Sequence, residues 1–217
     1  MLHLLLGVLL RIDPAHSKAA FSVQHIFVDH VTGTLPIVSG TIEVPAGSTI
    51  PVHVTAVLDP TKIRTGESDR DGVLQTPDWF DTPQYPTWTF VSTKITPAAG
   101  GFTMDGLLTI RGIAQPETLD VTVSGNTGEP VYHATGKIDR HAFGMAITRL
   151  DPVIGNPVDV TLDIRTVRLA STAVRRAGAA FEFANADRQM ARGIFRIVSV
   201  RFSAREYGGD ALGRQRR

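Results

Sequence analysis

The chain has 217 residues, of which 42% are hydrophobic and 20% charged, a composition typical of a globular protein. It contains no cysteine, which excludes a disulfide framework, a cysteine-based zinc site and a cysteine nucleophile. The net charge of +1 is unevenly spread: residues 1–170 hold 12 Lys and Arg against 17 Asp and Glu (−5), and residues 171–217 hold 10 Arg against 4 acids (+6). This asymmetry predicts a boundary near Ala170.

The chain begins with the apolar segment MLHLLLGVLL. A membrane-spanning helix needs about 20 such residues, so this segment is too short to be one. It also lacks the basic region and the small-residue cleavage site of a signal peptide. We interpret residues 1–11 either as the remnant of an export signal or as an apolar first strand. The predicted location follows from that choice: cytoplasmic as the sequence stands, periplasmic or secreted if the chain starts upstream.

Strand-like segments follow one another from Ser17 onwards, and nearly all alternate between apolar and polar residues. They cover residues 17–31, 39–45, 51–60, 87–97, 101–112, 117–125, 131–139 and 157–169. Such alternation predicts strands with one buried face, and their short connections favour antiparallel pairing. Eight strands suffice to close a barrel whose interior is filled by side chains or holds one small ligand.

The stretch SDRDGVLQTPDWFDTPQYPTWTF, which begins at Ser68, interrupts the strand pattern. Ser68 and Thr76 are both suited to cap a helix, whereas Pro83 and Pro86 prevent its extension. We therefore predict a short helical insertion at about residues 68–82.

Motifs for catalysis or for metal binding are absent from the sequence. The seven histidines form no HExxH or HxH pattern, and GxSxG and the glycine-rich phosphate loops do not occur. The acidic balance of residues 1–170 argues against a nucleic-acid surface there. We therefore assign no catalytic residue, no metal and no cofactor. We interpret residues 171–217 as an Arg-rich, partly disordered extension, which is either a real module or a read-through end.

Four segments together resemble the YceI-like, polyisoprenoid-binding proteins. They are IDPAHSKAAFSVQHIFVDHVTGTL, SDRDGVLQTPDWFDTPQYPTWTFVST, GLLTIRGIAQP and DRHAFGM, which occur in the order of the family motifs and span roughly residues 12–168. The sequence departs from the family where Trp79-Phe80-Asp81 stands in place of Phe-Phe-Asp.

The resemblance implies an all-β fold: an eight-stranded antiparallel, lipocalin-like barrel over residues 12–170, with the helical insertion. It also implies an elongated apolar tunnel that holds a polyprenyl or prenylquinone chain, for storage, transport or stress protection. The implied partner is an isoprenoid lipid, with no nucleic acid and no transmembrane span, and a homodimer is left open. The predicted ligand contacts are Phe21, Val23, Val54, Leu74, Trp79, Phe80, Phe90, Phe102, Met104, Leu108, Phe143, Met145, Val160 and Leu162.

Three polar residues within the matched motifs, Arg70, Asp71 and Arg140, have two interpretations. They contact a lipid head group, or they form structural Arg–carboxylate pairs that hold the insertion on the barrel, and we favour the second. Two other functions stay open. The protein is an enzyme that uses Arg70, Asp71, His25 or His141 as acid and base, or it is a solid structural barrel.

Overall fold

A computed structural model describes residues 7–26, 29–145 and 153–169 of the protein. The Arg-rich extension, 171–217, lies outside the described residues.

Strands dominate the described chain. The strands are β1 (Gly7–Ile12), β2 (Lys18–His25), β3 (Asp29–Leu35), β4 (Ile37–Pro45), β5 (His53–Leu58), β6 (Trp88–Ala98), β7 (Gly101–Ile110), β8 (Ile113–Gly125), β9 (Pro130–Asp139) and β10 (Ile154–Arg168). Helix α1 (Ser68–Leu74) and a first 3₁₀ turn (Pro60–Lys62) lie between β5 and β6, and a second 3₁₀ turn (Arg140–Phe143) follows β9. We call residues 59–87, between β5 and β6, the insertion.

The strands close into an antiparallel barrel with eight strand positions. The order β1-β4-β5-β6-β7-β8-β9-β10 returns to its start because β1 also pairs with β10. Two positions are each shared by two short strands. At the first position, β2 pairs with the first part of β10 and β1 pairs with its end. At the second position, β3 pairs with β2, and β4, which follows β3 in the chain, pairs with β1. The predicted all-β, eight-stranded antiparallel barrel is therefore confirmed.

The first strands differ from the sequence prediction. Residues 17–31 were predicted as one strand, but β2 ends at His25 and β3 returns beside it, so that Val23 lies opposite Val31. The chain also enters the barrel before residue 12, because β1 begins at Gly7 within the predicted N-terminal segment 1–11. Leu10 and Ile12, on the inner face of β1, are almost completely buried, which explains why this apolar run pairs as a strand.

The alternation along the strands separates a dry inner face from a wet outer one. On β7, Phe102, Met104 and Leu108 are buried, whereas Thr103 and Asp105 are only half-buried. On β10 the inward residues Val160 and Leu162 are only half-buried, although they face the interior. Side chains therefore do not fill the barrel completely.

The insertion covers the barrel beside β3. A single bridge joins Thr34 to Arg64, with mutual backbone hydrogen bonds of 2.8 and 3.0 Å. The helical prediction for 68–82 holds for α1, after which the chain forms turns rather than a second helix. Ser68 is not the helix cap: Glu67 occupies that position and makes no side-chain cap hydrogen bond. The carbonyl of Thr76 accepts the Trp79 amide at 3.0 Å in the turn that follows.

Candidate functional site

A cavity of about 210 Å³ lies inside the barrel. Residues from most of the barrel strands and from the insertion form its wall, which is almost entirely hydrocarbon. Such a wall offers an apolar ligand dispersion contacts and removal from water, and it offers few hydrogen bonds. The cavity is therefore suited to a hydrocarbon chain.

All of the predicted hydrophobic contact residues except Phe143 line this cavity. The lining members are Phe21, Val23, Val54, Leu74, Trp79, Phe80, Phe90, Phe102, Met104, Leu108, Met145, Val160 and Leu162. Phe143 is not part of the wall; its ring is completely buried in the second 3₁₀ turn, where it packs the core. That the lining residues bind a ligand stays a prediction.

At one end of the cavity, Tyr132 ties a loop to the barrel. Its hydroxyl donates to the carbonyl of Thr49 at 2.9 Å, and its ring packs edge-to-face on Phe102 with centroids 5.9 Å apart. Burial raises the pKa of Tyr132, so the hydroxyl remains a donor at physiological pH. Pro51, in the same loop, also lines the cavity, so this loop forms part of the wall.

Near the insertion, aromatic rings border the cavity. Phe80 and Trp88 pack edge-to-face with centroids 4.7 Å apart, and Trp79 lies on the same wall. Arg111 fastens this region: its guanidinium donates to the carbonyl of Pro77 at 2.9 Å and to that of Gly144 at 3.0 Å. Arg111 and Gly112 both have positive φ in the tight β7–β8 turn. From this turn the Arg111 side chain reaches both Pro77 and Gly144.

The predicted polar residues of α1 have a structural arrangement. Asp71 is buried and accepts hydrogen bonds from the Thr65 amide at 2.8 Å and from the Thr65 hydroxyl at 2.6 Å. Arg70 donates to the same hydroxyl and to the carbonyl of Thr65, each at 2.9 Å. The two residues are thus joined through Thr65 rather than by a direct ion pair, and neither lines the cavity.

Arg140 does border the cavity, but main-chain carbonyls occupy its guanidinium. It donates to Gly155 at 3.0 Å, to Ile154 at 2.9 Å and to Met145. These bonds connect the second 3₁₀ turn, which follows β9, to Met145 and to the start of β10. Arg140 therefore organises the backbone at this end of the barrel.

A sequence model of the YceI-like domain matches residues 10–166 of this chain. The chain belongs to the YceI-like family. Protein YceI of Escherichia coli O17:K52:H18 is 26% identical over 159 residues, which cover 70% of this chain and 82% of that protein. The matched residues span most of the described barrel and include the insertion.

Solved structures with the YceI-like barrel superimpose on this chain. BcnA of Burkholderia cenocepacia matches with a TM-score of 0.63 and 25% identity, over 71% of this chain and 98% of BcnA. A polyisoprenoid binding domain from Saccharophagus degradans, implicated in plant cell wall breakdown, matches with a TM-score of 0.59 and 15% identity, over 75% of this chain and 99% of that domain.

Two notable residues of this YceI-like cavity were not among the predicted contacts, Trp88 and Glu117. Glu117 is a half-buried carboxyl, the one acidic side chain among the described residues that line the cavity. Burial, together with the negative charge of Asp139, raises the pKa of Glu117. The signal was present in the sequence, because Glu117 is in phase with the inward residues Leu119 and Val121 of the same strand.

The described residues contain no group of three or more His, Asp or Glu side chains placed to hold a metal ion. Within the same ranges, no helix combines the length and apolar character needed to cross a membrane.

Proposed function

We propose that this YceI-like barrel binds the apolar chain of a polyisoprenoid-type lipid, such as a polyprenyl or prenylquinone chain, in an elongated path through its cavity. The observation that carries the proposal is the internal cavity with its nearly unbroken hydrocarbon wall. Storage, transport and stress protection are the roles that such binding would serve.

The energetics of a hydrocarbon chain favour this ligand class. Each buried CH₂ group contributes about 0.8 kcal/mol before ordering costs, so a few isoprene units offset the entropy lost on binding. The cavity of about 210 Å³ is smaller than the roughly 300–1,000 Å³ of pockets for drug-sized molecules. A slender prenyl chain suits a space of this size.

A related fold with a stated ligand class supports the proposal. The Saccharophagus degradans domain that superimposes on this chain is described as a polyisoprenoid binding domain. At 15% identity this likeness concerns the fold, and the transfer of the ligand class to this chain rests on the cavity wall.

Extraction of the native lipid tests the proposal. Protein purified without detergent is extracted with organic solvent, and the extract is analysed by mass spectrometry. We expect a prenyl lipid in stoichiometric amount. Preparations that are repeatedly empty and also fail to take up added polyprenol would overturn the proposal.

A matched pair of variants on β10 localises the binding to the cavity. Val160 faces the cavity and is half-buried, whereas the next residue, Thr161, lies on the opposite face of the strand. Val160→Trp should fill part of the cavity and lower lipid occupancy at least tenfold. Thr161→Trp should leave the occupancy unchanged, and equal lipid loss in both variants would argue against an internal site.

The two other hypotheses find less support. An enzyme would need two of Arg70, Asp71, His25 and His141 together in the pocket, but none of the four lines the cavity. Arg70 and Asp71 instead hold Thr65, and His25 lies opposite Ile154 at the end of β2. A solid structural barrel would have no internal cavity, and the half-buried inward residues of β10 border one.

A further inference from the structure

The indole nitrogen of Trp88 is a buried donor without an acceptor. Of the buried side-chain nitrogen and oxygen atoms in the part of the chain that the structure describes, only Trp88 Nε1 has no hydrogen-bond partner. The residue is 7% exposed and lines the cavity. Buried polar groups are nearly always paired, because an unpaired donor forfeits its hydrogen bond to water. A ligand acceptor in the cavity would remove this cost.

The surroundings hold the indole in its buried position. Trp88 begins β6 and lies opposite Leu58 of β5, and Phe80 packs edge-to-face against its ring. Phe80 is in turn anchored by its amide, which donates to the carbonyl of Leu74 at 3.0 Å. The indole nitrogen itself has almost no accessible surface, so the indole or a neighbouring side chain has to move before an acceptor in the cavity can reach it.

Other donors on the cavity wall already have protein acceptors. The Tyr132 hydroxyl donates to Thr49, the Arg140 guanidinium donates to three main-chain carbonyls, and the Lys137 ammonium pairs with Asp159. Trp88 differs from these groups in that its single N–H has no protein acceptor at all, so an acceptor oxygen there gains a bond without replacing one.

The carboxyl group of Glu117 also makes its own part of the cavity wall unfavourable for an acceptor oxygen of the ligand. When ionised, Glu117 can only accept hydrogen bonds, and Asp139 adds a second negative charge nearby. Glu117 of β8 pairs with Gly106 of β7, and Gly106 pairs with Ser92 of β6. Ser92 is four residues beyond Trp88 along β6. The two polar positions are thus separated by about 13 Å along the strand direction.

We propose that Trp88 Nε1–H donates a hydrogen bond to an oxygen of the bound lipid, so that the cavity selects oxygen-bearing isoprenoids over pure isoprenoid hydrocarbons. The inference rests on the proposed lipid binding and specifies its chemical class. The oxygen lies beside Trp88 and Phe80, and the hydrocarbon tail extends towards Glu117 and beyond.

Two probes with and without an acceptor oxygen test this inference. Delipidated protein is titrated by calorimetry with a short-chain prenylquinone and with squalene, and a polyprenol in a third arm distinguishes a hydroxyl from a carbonyl oxygen. The wild-type protein should bind an oxygen-bearing probe about tenfold more tightly than squalene, the effect of one buried hydrogen bond. Trp88→Phe should abolish this preference and keep squalene binding.

Tyr85→Phe is the matched control, because it removes a hydroxyl from an aromatic residue of the insertion that does not line the cavity. It should retain the preference for oxygen. Equal affinity of the wild-type protein for all probes, or a preference that survives Trp88→Phe, would overturn the inference while squalene binding upholds the proposed function. Failure of every probe to bind would overturn both.

A spectroscopic measurement does not depend on the folding of a variant. In the ¹H–¹⁵N NMR spectrum of the wild-type protein, the indole N–H of Trp88 should move downfield on addition of the prenylquinone and not on addition of squalene. An identical response to both probes would contradict a hydrogen bond to oxygen.

Discussion

At the scale of single residues, the carboxyl group of Glu117 is the main exception to the apolar wall. The neutral carboxyl is favoured in the folded state, because burial and then the charge of Asp139 raise its pKa. Folding stability therefore decreases as the pH rises through this raised pKa, and the favourable contribution is complete below the ordinary pKa of glutamate.

Glu117→Gln should stabilise the protein at neutral pH, because glutamine imitates the neutral carboxyl. The melting temperature should rise relative to the wild-type protein at pH 7, and the difference should shrink as the pH falls below the ordinary glutamate pKa. Glu129→Gln, at an exposed position, is the control and should have no effect. Equal melting temperatures for Glu117→Gln and the wild-type protein at pH 7 would show that the buried charge costs nothing.

Gly106→Ala should destabilise the barrel because the phenyl ring of Phe90 occupies the space of a side chain. A Cβ atom at this position would lie 2.2 Å from the Phe90 ring and 2.8 Å from the carbonyl oxygen of Val91. We expect a loss of about 1–3 kcal/mol in the free energy of unfolding, measured by urea denaturation.

Gly72→Ala provides the matched control for this prediction. No atom lies within 4 Å of its Cβ position, and Gly72 is within α1, where alanine is the better helix former. It should stabilise the protein by about 0.5–1 kcal/mol. Similar effects of the two substitutions would mean that Phe90 moves aside without cost.

At the scale of elements, one polar side chain of the barrel holds the insertion, and others fasten parts of the insertion to one another. Arg111 joins the β7–β8 turn to Pro77 of the insertion and to Gly144 after the second 3₁₀ turn. Asp71 and Arg70 fasten α1 to the loop that precedes it through Thr65. The bond from Arg111 to Pro77 thus connects the barrel to the segment that carries Trp79 and Phe80.

Arg111→Ala should loosen the insertion because two hydrogen bonds from a charged donor are lost. We expect a decrease of about 1–3 kcal/mol in stability and faster hydrogen exchange at the amides of Trp79 and Phe80. Amides in β8 and β9 should exchange at the wild-type rate. Unchanged exchange in the insertion would show that its aromatic rings suffice to hold it.

Asp71→Asn tests whether the polar residues of α1 contact a lipid head group. Both Thr65 donors bond to the same oxygen of Asp71, and an amide oxygen accepts them more weakly than a carboxylate, so we expect a loss of about 1 kcal/mol in stability. The extracted lipid should be the same as in the wild-type protein, because Asp71 does not line the cavity. Asp69→Asn, at an exposed position of the same turn, should change neither property. A changed lipid profile without loss of stability would favour the head-group interpretation.

At the scale of the whole molecule, a ligand within the barrel stabilises the fold by mass action. A prenyl lipid at about 100 times its dissociation constant should add about 2.7 kcal/mol to the free energy of unfolding. The melting temperature of delipidated protein should rise accordingly when polyprenol is added, and that of Val160→Trp should not. A rise of equal size in both proteins would place the bound lipid outside the cavity.

Most strand-forming segments, the helical start of the insertion and many of the inward-facing residues were predictable from the sequence. Residues on one face of a strand recur with a period of two, so Phe102, Met104 and Leu108 were assigned to the interior correctly. The reversal between β2 and β3 was not predictable, because the odd-numbered residues face inwards on both strands, as Val23 and Val31 show. A hairpin that preserves the alternation leaves no break in the pattern.

Only the tertiary structure decided which inward residues border space and which are tightly packed. Phe143 and Val160 were both predicted as ligand contacts, but Phe143 is completely buried by its neighbours and Val160 borders the cavity. The unpaired nitrogen of Trp88 likewise depends on neighbours from the insertion and from β5. Alternation along a strand reports the direction of a side chain, whereas cavity space and hydrogen-bond partners depend on segments distant in sequence.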